Sequence, residues 1–223
     1  MFIGKNSSIS VNIKVGDNAS IHIGDNCNVE IQDVVLIGEE STVLIDDYSK
    51  LLSMDMLRCS ANSKVTIGQR TKFVGGGFIS VQQNAKLEIG EESFFGRYNK
   101  LLAIKDTSIM IGKGVLTSWD VSIISGDGHS VFDINTKENI NKNKIDVSID
   151  EHVWIGAGVV IMPQSRIGVG SVVGASSLVK GSFPNNCMLA GTPAKIIKRD
   201  IAWSLQFGAE IEDCNIKYAN HTL

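Results

Sequence analysis

Isoleucine stands at positions 23, 45, 67, 89 and 111, a spacing of 22 each time. Another apolar residue stands two places ahead of each: Ile21, Val43, Val65, Leu87 and Ile109. Glycine follows all but one, Asp46 being the substitute. Inside each row the beat is six. Val29, Leu51, Phe73, Phe95 and Thr117 come one step of six after the isoleucines, and Val35, Leu57, Ile79, Leu101 and Ile123 come two steps after. Plain hexads open the chain at Ile3, Ile9, Val15 and Ile21, and return from Ile149 through Ile155, Ile161, Ile167 and Val173 to Val179. A helix holds no face at a period of six, whereas apolar-x-apolar pairs have the period of a strand. Each hexad therefore reads as a short strand and a turn, with the large aliphatic pointing in. Three hexads make one triangular coil. Stacked coils bury an aliphatic column that no single coil could bury. The predicted fold is all-β, a parallel β-helix with three flat sides.

Composition narrows the function. A net charge of −3 gives no basic field for nucleic acid. With 22 glycines and only 3 prolines, the turns are built from Gly, Asn and Asp. No apolar run is long enough for a transmembrane helix, so no membrane span is expected. The opening MFIGKNSS lacks the charged and apolar regions of a signal peptide. Cys27, Cys59, Cys187 and Cys214 are scattered, without a C-x-x-C pair. They read as ordinary core or surface thiols in a reducing, cytoplasmic compartment.

The beat breaks once, in SIISGDGHSVFDINTKENINKNKIDV, residues 122–147. Aligned on their isoleucines, the rows read Ser41, Ser63, Ala85, Thr107 and then His129 at one corner slot. An imidazole in a place kept for small residues breaks a local rule without a packing reason, and such breaks mark functional sites. Asp133 then stands where an inward isoleucine belongs, and an Asn- and Lys-rich stretch over about 133–148 reads as an exposed loop beside His129. A histidine titrating near neutral pH can take the proton of an attacking hydroxyl. Asp127 and Asp133 are candidates to orient its ring. Trp119 and Asp120 occupy outward row positions and suit sugar contact, a ring for stacking and a carboxylate for hydroxyls. His22, His152 and His221 read as surface residues. With one suitably placed histidine, no metal site is expected.

The segment SIDEHVWIGAGVVIMPQSRIGVGSVVGASSLVKGSFPNNCMLAGTPAKIIK, residues 148–198, resembles the closing part of the hexapeptide-repeat acyltransferases. The likeness is strongest to the galactoside, maltose and polysaccharide O-acetyltransferase branch. It implies a left-handed β-helix, a homotrimer with sites between subunits, and acetyl-CoA as donor. It implies His129 as general base and Trp154, in V-W-I-G, beside the donor thioester or the acceptor. Ala157, Ala175 and Lys180 match positions along the coenzyme, and Lys195 and Lys198 match basic residues near its phosphates. Gly181 stands where the family carries a basic residue. Rows of 22 exceed the roughly 18 residues of three hexads, and the period alone suits a right-handed solenoid as well. The expected organisation is a β-helix over 1–190 and a capping extension over 191–223. The expected activity is O-acetylation of a sugar, on a surface polysaccharide or its precursor. N-acetylation of an amino sugar nucleotide is the alternative enzyme, and a non-catalytic β-helix scaffold the alternative class. A scaffold such as an ice binder calls for regular outward threonine ladders, which these rows lack.

Overall fold

The computed structural model describes residues 1–33, 35–141, 146–211 and 214. Short strands follow one another round three sides of a prism in the order A, B, C. Each pairs in parallel with the strands one coil before and after it. Sheet A has nine strands, sheet B ten and sheet C eight. The sequence beat appears directly as register. Ile67 lies between Ile45 and Ile89 in sheet A, Phe73 between Leu51 and Phe95 in sheet B, and Ile79 between Leu57 and Leu101 in sheet C. All nine are buried. Like stacks on like, so each column packs without gaps and the core runs the length of the prism.

The long rows are explained by two lengthened sides. In the wide coils, Lys64–Ile67 of sheet A buries Val65 and Ile67, and Phe78–Val81 of sheet C buries Ile79 and Val81. Sheet B keeps one main inward residue per coil. Later strands shrink to two residues, as in Val160–Ile161, Arg166–Ile167 and Leu178–Val179. There Trp154 pairs with Val172, 18 residues on. Corners turn through left-handed backbone, much of it on asparagine: Asn6, Asn26, Asn62 and Asn84 all have φ between 55 and 58°. Small residues recur at the corner between C and A because their hydroxyls satisfy buried backbone. The Ser41 hydroxyl donates to Ser60 O at 2.7 Å and accepts from Ser63 N at 3.0 Å.

The break falls where the sequence places it, with different limits. Ile109 pairs with Val147, 38 residues away. The chain leaves the prism after the buried Ser125 and rejoins at Val147, so the insertion spans 126–146 rather than 133–148. Part of it forms a small hairpin. Phe132 bridges Asn139 in antiparallel fashion, and Ile140 N donates to Val131 O at 2.9 Å. Residues 142–145 of the expected loop lie outside the described residues.

At the far end, Ala194–Lys198 folds back antiparallel on Met188–Gly191 and closes the edge of sheet B. The chain then crosses the outer face of that sheet and buries Trp203. Of the rest of the predicted extension, residues 204–211 and 214 are described, and 212, 213 and 215–223, including His221, lie outside the described residues. Among the described residues no helix is long and apolar enough to cross a membrane.

Candidate active site

The corner between sheets C and A, at the sixth coil, carries His129. Counting in rows aligns it with the buried Ser41, Ser63, Ala85 and Thr107. The structure corrects that alignment, because the chain has already left the corner at Gly126. His129 is exposed, at the root of the hairpin. Asn141 clamps this root. Its Nδ2 donates to Asp127 Oδ2 at 2.9 Å and to His129 O at 2.8 Å, while its Oδ1 accepts from Val131 N at 2.8 Å. Asp127 thus fixes the backbone of His129 through Asn141 rather than its ring. Asp133 is occupied too. Its Oδ1 accepts from Asn135 N and Thr136 N, both at 2.8 Å. Those backbone bonds, Thr136 first, hold its carboxyl below the usual range. Asp133 therefore shapes the turn of the hairpin, and the imidazole of His129 is left open to a ligand.

The corner between B and C carries the second group. Trp119 is 64 % exposed. Its carbonyl accepts from Gly158 N at 3.0 Å, and Ala157 O accepts from Ser176 N at 2.8 Å. Trp119, Ala157 and Ala175 therefore stack in one column on successive coils. Asp120 is exposed and paired with Lys100 Nζ at 2.8 Å. Lys195 and Lys198 are exposed on the closing strand of sheet B, and Lys180 is exposed on the C–A side of the last full coil.

Trp154 points out from sheet B and remains 40 % exposed. The returning chain sets Trp203 against it, with ring centroids 6.0 Å apart. His152, expected as a plain surface turn, stacks on Trp203 at 4.1 Å and 9°. Its carbonyl also accepts from Trp203 Nε1 at 2.9 Å. Trp154 and Trp203 line a cavity of about 520 Å³ with Leu116, Leu205 and Phe207.

Sequence reasoning missed the supports beneath both corners. Inward positions of sheet B read Val29, Leu51, Phe73, Phe95 and then Thr117; those of sheet C read Ile37, Cys59, Val81, Ala103 and then Ser125. The aliphatic rule is broken twice in the sixth coil. Asn99 Nδ2 donates to Thr117 Oγ1 at 2.6 Å, and Asn99 Oδ1 accepts from Val121 N at 2.8 Å, directly under Trp119 and Asp120. At the other corner the Thr107 and Ser125 hydroxyls bond each other, and Ser125 Oγ accepts from Ile104 N at 3.0 Å. Buried, fully bonded side chains of this kind fix a corner rigidly. The signal was available as a polar residue in an otherwise apolar column. The buried cysteines play no such part: burial pushes the Cys59 thiol up to about 12, so it stays protonated and inert.

Within one chain, then, the site residues fall into two sets. His129 and Lys180 lie along one edge of sheet C. Trp119, Asp120, Ala157 and Ala175 lie along its opposite edge, with Lys195 and Lys198 on the adjoining end of sheet B. Trp154 sits on sheet B, the side that does not border the corner of His129.

No family model matches the chain. The putative lipopolysaccharide biosynthesis O-acetyl transferase WbbJ of Escherichia coli K12 is 53 % identical over 141 residues, which are 60 % of this chain and 66 % of that protein. The galactoside O-acetyltransferase of the same organism is 34 % identical over 144 residues, 59 % of this chain and 69 % of that protein. The crystal structure of the polySia-specific acetyltransferase NeuO superposes with a TM-score of 0.80 at 32 % identity, covering 92 % of this chain and 85 % of that one. The chain spans less than half the length of some other curated relatives, 41 % and 47 % in two cases. The repeat register and the three parallel sheets make a three-sided parallel β-helix, the likeness to NeuO gives it the left hand, and the chain belongs to the hexapeptide-repeat acetyltransferase family.

Proposed function

We propose that this protein transfers an acetyl group from acetyl-CoA to a sugar hydroxyl of a surface polysaccharide or its precursor, as a homotrimer, with His129 as general base. The observation that carries this reading is the division of the site residues between the two edges of sheet C. The outer face of that sheet is apolar over the same coils, where Leu102, Ile124, Val160, Met162 and Leu178 are only partly covered. Three copies that turn sheet C toward a common axis set the C–A edge of each against the B–C edge of the next. His129 then faces the partner subunit's Trp119, Asp120, Ala157 and Ala175 across one groove. The hairpin beside His129 exposes Phe132, Ile134 and Ile140, an apolar arm suited to a neighbouring copy.

The chemistry follows from that groove. The sugar hydroxyl loses its proton to His129 as its oxygen attacks the thioester carbonyl. The carbon–sulfur bond breaks, the proton passes to the departing coenzyme thiolate, and an ester remains. No acyl-enzyme is needed. Small residues at Ala157 and Ala175 let the coenzyme's arm lie close to backbone, Lys180 meets the coenzyme from the facing edge, and Lys195 and Lys198 suit its phosphates. Trp154, on sheet B, is the residue that the family resemblance sets beside the donor thioester or the acceptor. A donor of this kind places the reaction in the cytoplasm. Relatives named for lipopolysaccharide, galactoside and polysialic acid O-acetylation support a carbohydrate acceptor.

Mixed trimers test this directly. His129→Ala and Trp119→Ala proteins are each assayed for coenzyme thiol release and for one acetyl group gained by the acceptor. Unfolding and refolding the two together is expected to restore about a quarter of the wild-type rate, because a quarter of random interfaces pair two intact edges. Recovery of none would show that one chain supplies both sets. Release of the acetyl group by mild base identifies an ester, and its resistance would identify an amide.

A further inference from the structure

The B–C corner continues beyond Trp119 toward the start of the chain, where the transfer chemistry makes no use of it. One coil earlier it presents Arg97 and Tyr98, and one coil before that the run Gly75-Gly76-Gly77. All three glycines have left-handed backbone, with φ of 74, 64 and 79°. A Cβ on Gly76 would collide with the Tyr98 ring, and one on Gly77 with Asn99 O. The Tyr98 ring therefore rests on bare backbone, and Tyr98 N donates to Gly75 O at 3.0 Å. The ring cannot sink further, and Tyr98 stays 56 % exposed. Asn99, next in sequence, is the buried side chain that braces the corner under Trp119. Arg97 is exposed and forms no ion pair with the described residues. Two rigid, exposed rings thus sit on adjacent coils, about 4.8 Å apart along the prism, with a free guanidinium beside them.

Aromatic rings held open at a fixed spacing fit ligands with flat apolar faces edged by hydroxyls, as pyranose rings have. A guanidinium fork beside them suits hydroxyl or carboxylate oxygens of the same ligand. We infer that Tyr98 and Arg97 form an outer acceptor subsite. The sugar being acetylated sits at Trp119, and neighbouring sugars of the same chain run over Tyr98 and Arg97 toward the wide coils. The acceptor is then a glycan chain rather than a single sugar or a sugar nucleotide. This inference rests on the sugar-transferase reading above.

The test is acceptor kinetics with acetyl-CoA and size-graded oligomers of galactose and of sialic acid, from single sugars upward. For the wild type, KM should fall with acceptor length until the outer subsite is filled. Tyr98→Ala and Arg97→Ala should each raise KM for long oligomers about 3- to 10-fold, with kcat and the KM for single sugars unchanged. Gly76→Ala, which displaces the ring, should mimic Tyr98→Ala provided its thermal midpoint is retained. Wild-type KM on long oligomers in both Tyr98→Ala and Arg97→Ala would overturn the subsite while leaving the transferase intact. Absence of transfer by the wild type to sugars of any length would overturn both.

Discussion

The wide coils and the narrow coils of this prism are built from the same hexad and differ in what they leave free. In the wide coils the inward positions of sheets A and C stack in register, mostly aliphatic on aliphatic, as Val65 does on Val43 and Leu87, or Ile79 on Leu57 and Leu101. The narrow coils drop two positions from sheet C, and the change is abrupt. Ser122 and Ile123 of the sixth coil pair with Val160 and Ile161 below, but Ile124 and Ser125 have no strand partner there. On sheet A, Ser148 and Ile149 pair onward while Val147 does not. A ledge results at the C–A corner, and the hairpin bearing His129 springs from it. Loops leave a solenoid at its corners. Here the change of coil length coincides with that departure, and the polar exceptions Thr117 and Ser125 both lie in the coil that forms the ledge.

The sharpest way to separate the ledge from its packing is His129→Ala. Transfer should fall about 10²- to 10⁴-fold, measured as kcat with saturating donor and acceptor. The thermal midpoint should not move, because the ring is exposed and makes no hydrogen bond to the described residues. A lowered midpoint with modest loss of rate would make His129 a structural residue of the hairpin.

Phe95→Ala probes the wide side. Phe95 is fully buried and stacks on Phe73 at 4.2 Å and 5°. Its loss should cost about 3–5 kcal/mol. Because each coil touches only its neighbours, the damage should be local. Hydrogen exchange should lose protection in the fourth to sixth coils and keep it around Ile161 and Val179. Uniform loss along the prism would show that the two regions unfold as one unit.

These regions also differ in how far the sequence discloses them. A column of identical packing environments forces a strict period, so the coils, the inward residues and the position of the break could all be read from spacing alone. Handedness could not, because the period of the wide rows fits either hand, and resemblance had to supply it. The alignment of His129 with a buried corner failed because counting in rows assumes a continuous coil, and the coil ends at Gly126. That Trp119, Ala157 and Ala175 share a corner emerged from the backbone bonds between coils rather than from the row count. The contacts of Asp127 and Asp133 were hidden because the hairpin obeys no period: its hydrogen bonds are side chain to backbone, and Asn141 returns to Asp127 across 14 residues. Asn99 and Thr117 were visible as exceptions, but only their pairing explains them.

That pair gives a smaller test on the wide side of the step. Asn99→Ala strands Val121 N and the Thr117 hydroxyl in the core, at a cost of about 1–3 kcal/mol. It should also loosen the corner, so that exposure of Trp119 to a soluble quencher rises before the protein unfolds. An unchanged quenching constant would mean that the neighbouring coils alone hold the corner.

The smallest expected effect lies at the A–B corner, where the wide coils carry a charge ladder. Lys113 Nζ contacts Glu91 at 2.6 Å and Glu92 at 3.3 Å, and Arg70 reaches both carboxylates. The Lys113 bond, followed by Gln69, holds the Glu91 carboxyl below its ordinary value of 4.5, and Arg70 followed by Lys113 does the same for Glu92. A carboxyl with a depressed folded-state value stabilises the fold above the ordinary value and loses that contribution as pH falls through the depressed one. Lys113 is the reverse case. Glu91, then Glu92, raises it above 10.5, so its contribution is full below 10.5 and is lost as pH climbs through the raised value. In Lys113→Ala, the NMR titration midpoint of Glu91 should move up toward 4.5, and the loss of stability on acidification should begin at higher pH. These side chains are exposed enough for salt to screen them, so the difference from wild type should shrink as ionic strength rises past about 0.15 M. Neutralising Asp150 should shift less, since in the narrow coils its ion pair with Arg166 is single and longer, at 3.9 Å.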